Sequence, residues 1–192
     1  MVNFILASGS PRRKELLDSL GLSFKIVKSD INEQSKEFEP SKYVMDIAYK
    51  KTYSVANSIK EESIVLGADT IVVIDNEILG KPQDEKRAFL MLKKLSGKMH
   101  KVYTGLSIVR TPDLKYVNDF SETKVWIKKL DNEEILRYIK TGECLDKAGA
   151  YAIQGFGALI VEKIEGDYFN VVGFPLSKLS SLLKDNFNIN LL

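Results

Sequence analysis

The chain has 192 residues, of which 44% are hydrophobic and 28% are charged, so it can enclose a full core and is not a disordered chain. Lysine and arginine number 28 against 26 aspartates and glutamates, which gives a net charge of only +2. Because the basic residues are spread along the chain, the composition argues against a dedicated nucleic-acid-binding surface.

The first elements in the chain are short and close together. Residues 3–7 predict a buried strand, and Ser10 as N-cap with Pro11 at the first helical position predicts that a helix follows. Residues 24–28 alternate in hydropathy and predict a second strand. The polar stretch 29–39 has no period, and we interpret it as a loop that carries several carboxylates.

The next stretch is dominated by a long helix. Apolar residues recur at helical spacing from Pro40 to about Lys60 and predict an amphipathic helix. A buried strand is then expected at residues 64–66, a strand hairpin at 70–79 and another helix at 84–95.

Two long strands and a well-marked helix follow. Residues 102–110 and 116–128 are rich in β-branched and aromatic side chains and flank a short turn, so they predict an antiparallel pair. Asp131 and Glu134 have the spacing of a capping box, and Gly142 supplies the matching C-terminal stop.

The last part of the chain predicts a second hairpin over residues 158–172 and a final helix at about 175–187. Strands and helices interleave, but several neighbouring strands are joined by turns too short for parallel crossovers, which favours a mixed sheet. No repeat or linker divides the sequence. We therefore expect an α/β protein with a mixed β-sheet and flanking helices, forming a single domain over residues 1–192.

Cysteine and histidine usage limits the kinds of site that are possible. Cys144 and His100 are the single residues of their types, so neither an internal disulfide nor a zinc-type cluster is expected, and any metal must have oxygen ligands. No apolar run approaches the ~20 residues needed to span a bilayer. We expect a cytoplasmic protein without a membrane partner, and no catalytic role for Cys144 or His100.

The segment Ser-Gly-Ser-Pro-Arg-Arg at residues 8–13 lies between the first strand and the first helix. Backbone N–H groups at a helix start, the hydroxyls of Ser8 and Ser10 and the guanidinium groups of Arg12 and Arg13 would form a cradle for phosphate oxygens. The alternative is an ordinary capped helix with arginines facing solvent. The segment is not a Walker P-loop, because it lacks the G-x-x-x-x-G-K-[ST] pattern.

Carboxylates and lysines suited to a triphosphate lie further along the chain. Asp69 ends an apolar strand, where it would either cap a turn or, if Glu33 converges on it, hold Mg²⁺ or Mn²⁺ together with substrate phosphates. Lys51 on the long helix and Lys81 in a Gly-Lys-Pro turn would add positive charge for the phosphates, unless both simply extend to solvent.

The stretch 149–157 has three glycines in nine residues. A loop of this kind can pass close to a ligand, and the Gln154 amide offers a donor and an acceptor for the edge of a base. The alternative is a structural loop between strands.

Five segments in this order resemble the Maf family of nucleotide pyrophosphatases, over nearly the whole chain. They are Leu-Ala-Ser-Gly-Ser-Pro-Arg-Arg at 6–13, Gly-Ala-Asp-Thr at 67–70, Gly-Lys-Pro at 80–82, Asp-Lys-Ala-Gly-Ala-Tyr with Ile-Gln-Gly at 146–155, and Val-Gly-Phe-Pro-Leu at 172–176. Any one of them is a weak signal, whereas five in register are specific.

The resemblance implies a Maf/inosine-triphosphatase-like fold with two lobes around a cleft, a homodimer, and hydrolysis of a nucleoside triphosphate to its monophosphate and pyrophosphate. It also implies a divalent metal cation, a role in clearing non-canonical nucleotides and a link to arrest of cell division. By position, Asp69 matches the family's proton acceptor. The positions that set substrate choice match Arg12, Thr70 and Gln154, and those assigned to metal or phosphate contact match Glu33, Lys51 and Lys81.

Gln154 also bears on the choice of base. A second branch of the family prefers a methylated guanine nucleotide and carries an acidic residue in place of this glutamine. An amide complements the acceptor–donor–acceptor edge of uracil or thymine, whereas guanine's N1 and N2 donors suit a carboxylate. Gln154 therefore favours dTTP, UTP or modified pyrimidine nucleotides as substrates.

The alternative function from another class is a nucleotide-binding regulator of cell division with little turnover. The presence of both Asp69 and Glu33 favours the enzyme.

Overall fold

The computed structural model describes residues 2–192 and confirms an α/β protein with a mixed sheet. Its strands in the described residues are β1 (Phe4–Leu6), β2 (Phe24–Ile26), β3 (Ser63–Ile74), β4 (Glu77–Leu79), β5 (Met99–Thr111), β6 (Tyr116–Ile127) and β7 (Val161–Glu165). Its α-helices are α1 (Pro11–Ser19), α2 (Pro40–Ala56), α3 (Glu85–Leu95), α4 (Asn132–Lys140), α5 (Tyr168–Val172) and α6 (Leu176–Phe187). None of the helices in residues 2–192 combines the length and the apolar character needed to cross a membrane.

The sheet has the order β2-β1-β3-β5-β6-β7, and β4 pairs with β3 off this path. β1 runs parallel to both β2 and β3, while the β3–β4 and β6–β7 pairs are antiparallel. β5 and β6 are consecutive neighbours joined by a short turn, which requires an antiparallel pair because parallel strands need a long crossover. The predicted mixed sheet is therefore present.

The described residues form two compact units. Unit 1 contains residues 2–69, 104–121 and 173–192, and unit 2 contains residues 70–103 and 122–172. Strands β3, β5 and β6 contribute residues to both units. Each unit has its own apolar cluster, so the core of each can be described by itself.

Unit 1 is built on close contact between α2 and the sheet. Val55 and Ala56 of α2 pack with β1, β3 and β5 in one buried cluster. Gly67 and Gly105 make the approach possible, because an added Cβ would overlap the Thr52 hydroxyl at Gly67 and the Val44 carbonyl of α2 at Gly105. The backbone of α2 therefore lies directly against β3 and β5.

Unit 2 has α3 and α4 packed over its own cluster. Leu92 and Leu95 from α3, Ile135 and Ile139 from α4, and Val125 from β6 are fully or almost fully buried there. The predicted capping box of α4 is confirmed: the Glu134 N–H donates to Asp131 at 2.8 Å, and the Asp131 N–H donates to Glu134 at 3.0 Å.

Two predictions about the strands are wrong. The strands expected at 64–66 and from residue 70 form one continuous strand, β3, so Asp69 lies within a strand and does not end one.

The second wrong prediction concerns the last expected hairpin. Residues 168–172, expected as the second strand of a hairpin, form the short helix α5. The Asp167 carboxylate accepts from the Phe169 N–H at 2.8 Å, as a helix-capping side chain does. Asn170 is fully buried and donates to the Val102 carbonyl and the Thr123 hydroxyl. These tertiary hydrogen bonds outweigh the strand propensity of the segment.

A buried histidine also lies in unit 2. The His100 side chain is 1% exposed, and its Nε2 lies 2.6 Å from the Tyr151 hydroxyl. Its Nδ1 has no hydrogen-bond partner among residues 2–192. Because burial disfavours the charged imidazolium, the pKa of His100 is lowered to about 4.

The unfolding free energy should therefore fall as His100 is forced to ionise in acid. A histidine whose folded pKa of about 4 lies below its unfolded value of 6.5 favours the folded state above pH 6.5 and loses that advantage as the pH falls toward 4. We expect wild type to lose about 2–3 kcal/mol more than His100→Gln between pH 7 and pH 4.5. Urea unfolding across this range measures both proteins, and parallel pH profiles would contradict the expectation.

Candidate active site

Two carboxylates and one lysine meet in unit 1. Asp69 lies on β3 and is 9% exposed, and its Oδ1 is 2.7 Å from the Nζ of Lys51, which projects from α2 and is 7% exposed. The exposed Glu33, from the loop before α2, places its Oε2 3.0 Å from the same ammonium. Glu33 and Asp69 therefore converge on a single cation.

The packing of α2 explains why Lys51 reaches Asp69. The Thr52 hydroxyl occupies the position that a Cβ on Gly67 would take. It donates a hydrogen bond to the Ala48 carbonyl at 2.7 Å, within its own helix. Since the helix contacts β3 directly at Gly67, the neighbouring Lys51 lies beside Asp69, two residues further along the strand. No sequence pattern indicates this role of Thr52, because it depends on a contact between residues of two different elements.

Arg13 links three segments around Asp69. Its Nε donates to the Gly173 carbonyl at 2.9 Å, and its Nη1 donates to the Ala68 carbonyl at 2.8 Å and to the Ser8 hydroxyl at 3.2 Å. Burial lowers the pKa of the Arg13 guanidinium, and the charge of Asp69 opposes that effect. Arg13 thus supplies a fixed positive charge, and it ties β1, β3 and the segment before α6 together.

The remaining cradle residues lie at the start of α1. Ser8 is buried, and its hydroxyl accepts from the Ser10 N–H at 3.2 Å, which shapes the turn into the helix. Ser10 is the N-cap residue of α1 but makes no side-chain cap hydrogen bond, and Arg12 is half-buried. The predicted strand–turn–helix setting of these residues is present.

Tyr43 is a site residue that the sequence analysis missed. It lies on α2, eight residues before Lys51, and is half-buried. Burial raises the pKa of its hydroxyl, and the charges of Asp69 and Glu33 raise it further. The Tyr43 hydroxyl is therefore within electrostatic reach of the two carboxylates. The available sequence signal was the spacing of eight residues between Tyr43 and Lys51, which places both on one face of a helix.

The arrangement of Asp69 and Glu33 fits a divalent cation that is shared with a ligand. Both carboxylates already surround one cation, the Lys51 ammonium. Within residues 2–192 no group of three or more His, Cys, Asp or Glu side chains is placed to hold a metal by itself. Mg²⁺ commonly uses one or two protein carboxylates and takes its other oxygens from phosphates and water. These residues fit that mode and not a dedicated protein cage.

The other predicted site residues belong to unit 2. Thr70 follows Asp69 on β3 and is half-buried, while Lys81 and Gln154 are exposed. The Gly149 N–H donates to the Gly80 carbonyl at 3.1 Å, which joins the Lys81 turn to the glycine-rich stretch. Unit 1 therefore brings together Ser8, Arg13, Glu33, Lys51 and Asp69, and unit 2 carries Thr70, Lys81 and Gln154.

Comparisons with known proteins agree on one family. A family profile described as "Maf-like protein" matches residues 3–186. A protein of Thermoanaerobacter sp. (strain X514) named dTTP/UTP pyrophosphatase is 63% identical over 191 residues, covering 100% of both chains. A protein of Clostridioides difficile (strain 630) with the same name is 52% identical over 191 residues, covering 99% of this chain and 98% of its own.

Solved structures show the same fold at greater distance. A HAM1 protein from Coxiella burnetii superimposes with a TM-score of 0.50 at 16% identity, covering 66% of this chain and 73% of its own. At that identity the likeness concerns the fold alone, and it agrees with the expected inosine-triphosphatase-like architecture.

Removing the buried cation should destabilise the protein. Lys51→Met would leave the buried Asp69 carboxylate without its ammonium partner, so we expect a loss of about 3 kcal/mol in unfolding free energy. Lys50→Met is the matched control, because Lys50 neighbours Lys51 on α2 but pairs with Asp46 at the surface, where such pairs contribute less than about 1 kcal/mol.

A double variant separates the charge effect from packing. If the loss comes from the unpaired carboxylate, Lys51→Met combined with Asp69→Asn should cost less than the sum of the two single changes. Additive losses, or equal losses for Lys50→Met and Lys51→Met in chemical denaturation, would show that the pair has no special energetic role.

Proposed function

The chain belongs to the Maf family, and on that premise we propose that it is a nucleoside triphosphate pyrophosphatase that hydrolyses dTTP and UTP to the monophosphate and pyrophosphate. The observation that carries the proposal is the convergence of Asp69, Glu33 and Lys51 in a chain so similar over its full length to proteins named for this activity. A pure binding module has little need of two carboxylates beside a triphosphate.

In the proposed reaction a water molecule attacks the α-phosphorus. A bond forms between the water oxygen and the α-phosphorus, the bond from the α-phosphorus to the bridging oxygen breaks, and pyrophosphate leaves. Asp69 takes the proton of the attacking water as general base. Its place beside Lys51 supports this role, because the contact with the Lys51 ammonium at 2.7 Å fixes the orientation of the carboxylate.

The phosphates require positive charge and hydrogen-bond donors. We assign this role to the hydroxyls of Ser8 and Ser10 and to the cations of Arg13, Lys51 and Lys81. Ser8, Ser10 and Arg13 lie at the start of α1, Lys51 projects from α2 beside Asp69, and Lys81 lies in the loop after β4. A bound Mg²⁺ or Mn²⁺, held by Asp69 and Glu33, would neutralise further phosphate charge. Positioning and electrostatics provide most of the rate enhancement in reactions of this type.

Substrate choice is assigned to Arg12, Thr70 and Gln154. The exposed side chain of Gln154 supports a contact with the base, since its amide can both donate to and accept from a pyrimidine edge. Guanine selectivity would require an acceptor-only side chain at this position.

Three further properties stay predictions from the sequence: location in the cytoplasm, assembly as a homodimer and a role in clearing non-canonical nucleotides.

Pyrophosphate release over a panel of triphosphates tests the proposal. Purified protein should release pyrophosphate, and not orthophosphate, from dTTP and UTP in the presence of Mg²⁺ or Mn²⁺, and much more slowly from GTP and methylated GTP. Tight nucleotide binding without release would identify a binding protein, and preference for the methylated guanine nucleotide would place the chain in the other branch.

Asp69→Asn should remove most of the turnover. The amide keeps the shape of the side chain but loses its charge and basicity, and general bases typically contribute ~10²–10⁴-fold to rate. Asp75→Asn, at an exposed position in the turn after β3, is the control and should behave as wild type. Steady-state kinetics on folded protein make the comparison, and wild-type turnover in Asp69→Asn would remove Asp69 from the mechanism.

Gln154→Glu should narrow the preference for pyrimidines. An ionised glutamate accepts hydrogen bonds but cannot donate, so it would face a pyrimidine carbonyl with like charge. An unpaired polar group costs roughly 1–3 kcal/mol, which corresponds to about a 10- to 150-fold change in the ratio of kcat/KM for UTP to that for GTP. An unchanged ratio would mean that Gln154 does not contact the base.

A further inference from the structure

Gln154 lies in a loop that is held at both of its ends. We call residues 152–157 the Gln154 loop. On one side the Ala152 N–H donates to the Tyr138 hydroxyl at 3.0 Å. On the other side Glu143 binds two successive N–H groups: Phe156 donates to Oε1 at 3.0 Å, and Gly157 donates to Oε2 at 3.2 Å. The loop is therefore attached to two side chains outside it.

One attachment comes from α4 and the other from the turn that follows it. Tyr138 is a residue of that helix and is 5% exposed within the core of unit 2. Glu143 follows the helix end directly: Gly142 terminates the turn at a φ of 76°, and the Glu143 N–H donates to Thr141 Oγ1 at 3.3 Å. The capped and buried helix thus determines the position of both side chains, and through them the position of the loop.

The glycines of the loop allow these contacts. Gly155 has a φ of 62°, and an added Cβ would overlap the Glu143 carboxylate. A Cβ on Gly157 would overlap the Ala152 carbonyl oxygen, so the two ends of the loop touch each other. Only a chain with glycine at both positions can fold this closely around Glu143.

The Glu143 carboxylate has a specific electrostatic partner. Phe156 and Gly157 lie in the first turn of a 3-10 helix, Gly155–Leu159, where N–H groups lack partners within the helix. Hydrogen bonds from a backbone N–H to a carboxylate are about twice as strong as neutral ones. Gln154 is the N-cap residue of this turn, so the carboxylate fixes the backbone immediately after it.

We infer that Glu143 is a positioning residue for base selection: it holds the Gln154 loop so that the Gln154 amide meets the base in one orientation. The inference rests on the proposed function, in which Gln154 contacts the base. Both Glu143 oxygens accept hydrogen bonds from the loop backbone next to Gln154, which is why the effect of Glu143 on the base is assigned to its hold on Gln154. Within residues 2–192 no hydrogen bond or ion pair of Glu143 involves Asp69, so Glu143 is assigned to specificity and not to the chemical step.

The experiment compares kcat and KM for UTP and GTP in Glu143→Ala, Glu143→Gln and the control Glu162→Ala, an exposed glutamate on β7. In Glu143→Ala the Gln154 amide should lose its orientation, which should raise the KM for UTP and leave kcat for UTP little changed. The UTP-to-GTP ratio of kcat/KM should fall about tenfold. Glu143→Gln keeps an acceptor oxygen and should fall between Glu143→Ala and wild type. Hydrogen exchange at the Phe156 and Gly157 amides should accelerate most in Glu143→Ala, less in Glu143→Gln and not in Glu162→Ala.

A double-mutant cycle separates this inference from the proposed function. If Glu143 acts through Gln154, Glu143→Ala should not lower the ratio further in a Gln154→Ala background. An additive effect there, or a lower melting temperature with an unchanged ratio, would overturn the positioning role. If Gln154→Ala alone leaves the ratio unchanged, the base contact of Gln154 fails, and the role of Glu143 fails with it, while pyrophosphate release from UTP would still stand.

Discussion

The candidate site of unit 1 depends on the ion pair between Lys51 and Asp69. Two buried opposite charges at 2.7 Å are stable only when their geometry is good and the surrounding structure holds them in place. The lysine comes from a helix and the aspartate from a strand, so the separation of those elements decides whether the pair forms. Glu33 adds a second carboxylate from a loop, where its greater exposure permits movement.

Arg13 gives the same site a second fixed charge by a different means. Where Lys51 contacts carboxylates, Arg13 contacts backbone carbonyls of segments that are far apart in sequence. A guanidinium suits this task because its planar donors point in fixed directions. Arg13 is therefore part of the framework of unit 1, and its positive charge is held in a fixed position.

Local patterns predicted the elements well, and long-range contacts explain what was missed. The capping box at Asp131, the proline at the start of α1 and the periodicity of α2 act within a few residues, so the sequence displays them. The helix at 168–172 depends on hydrogen bonds from Asn170 to Val102 and Thr123, which no local pattern reveals. For the same reason, the sequence could offer the meeting of Glu33 and Asp69 only as one of two alternatives. Glu143 lies thirteen residues before Phe156, and only the fold brings its carboxylate to that amide.

The close packing of α2 at Gly67 and Gly105 also limits how unit 1 can move. With helix atoms where glycine Cβ atoms would otherwise be, neither sliding nor rotation of α2 is possible without steric overlap. Lys51, in contrast, has four rotatable bonds on this fixed backbone. Any shift in the position of the Lys51 ammonium therefore requires rotamer changes of that side chain, made within a buried ion pair, and not displacement of the helix.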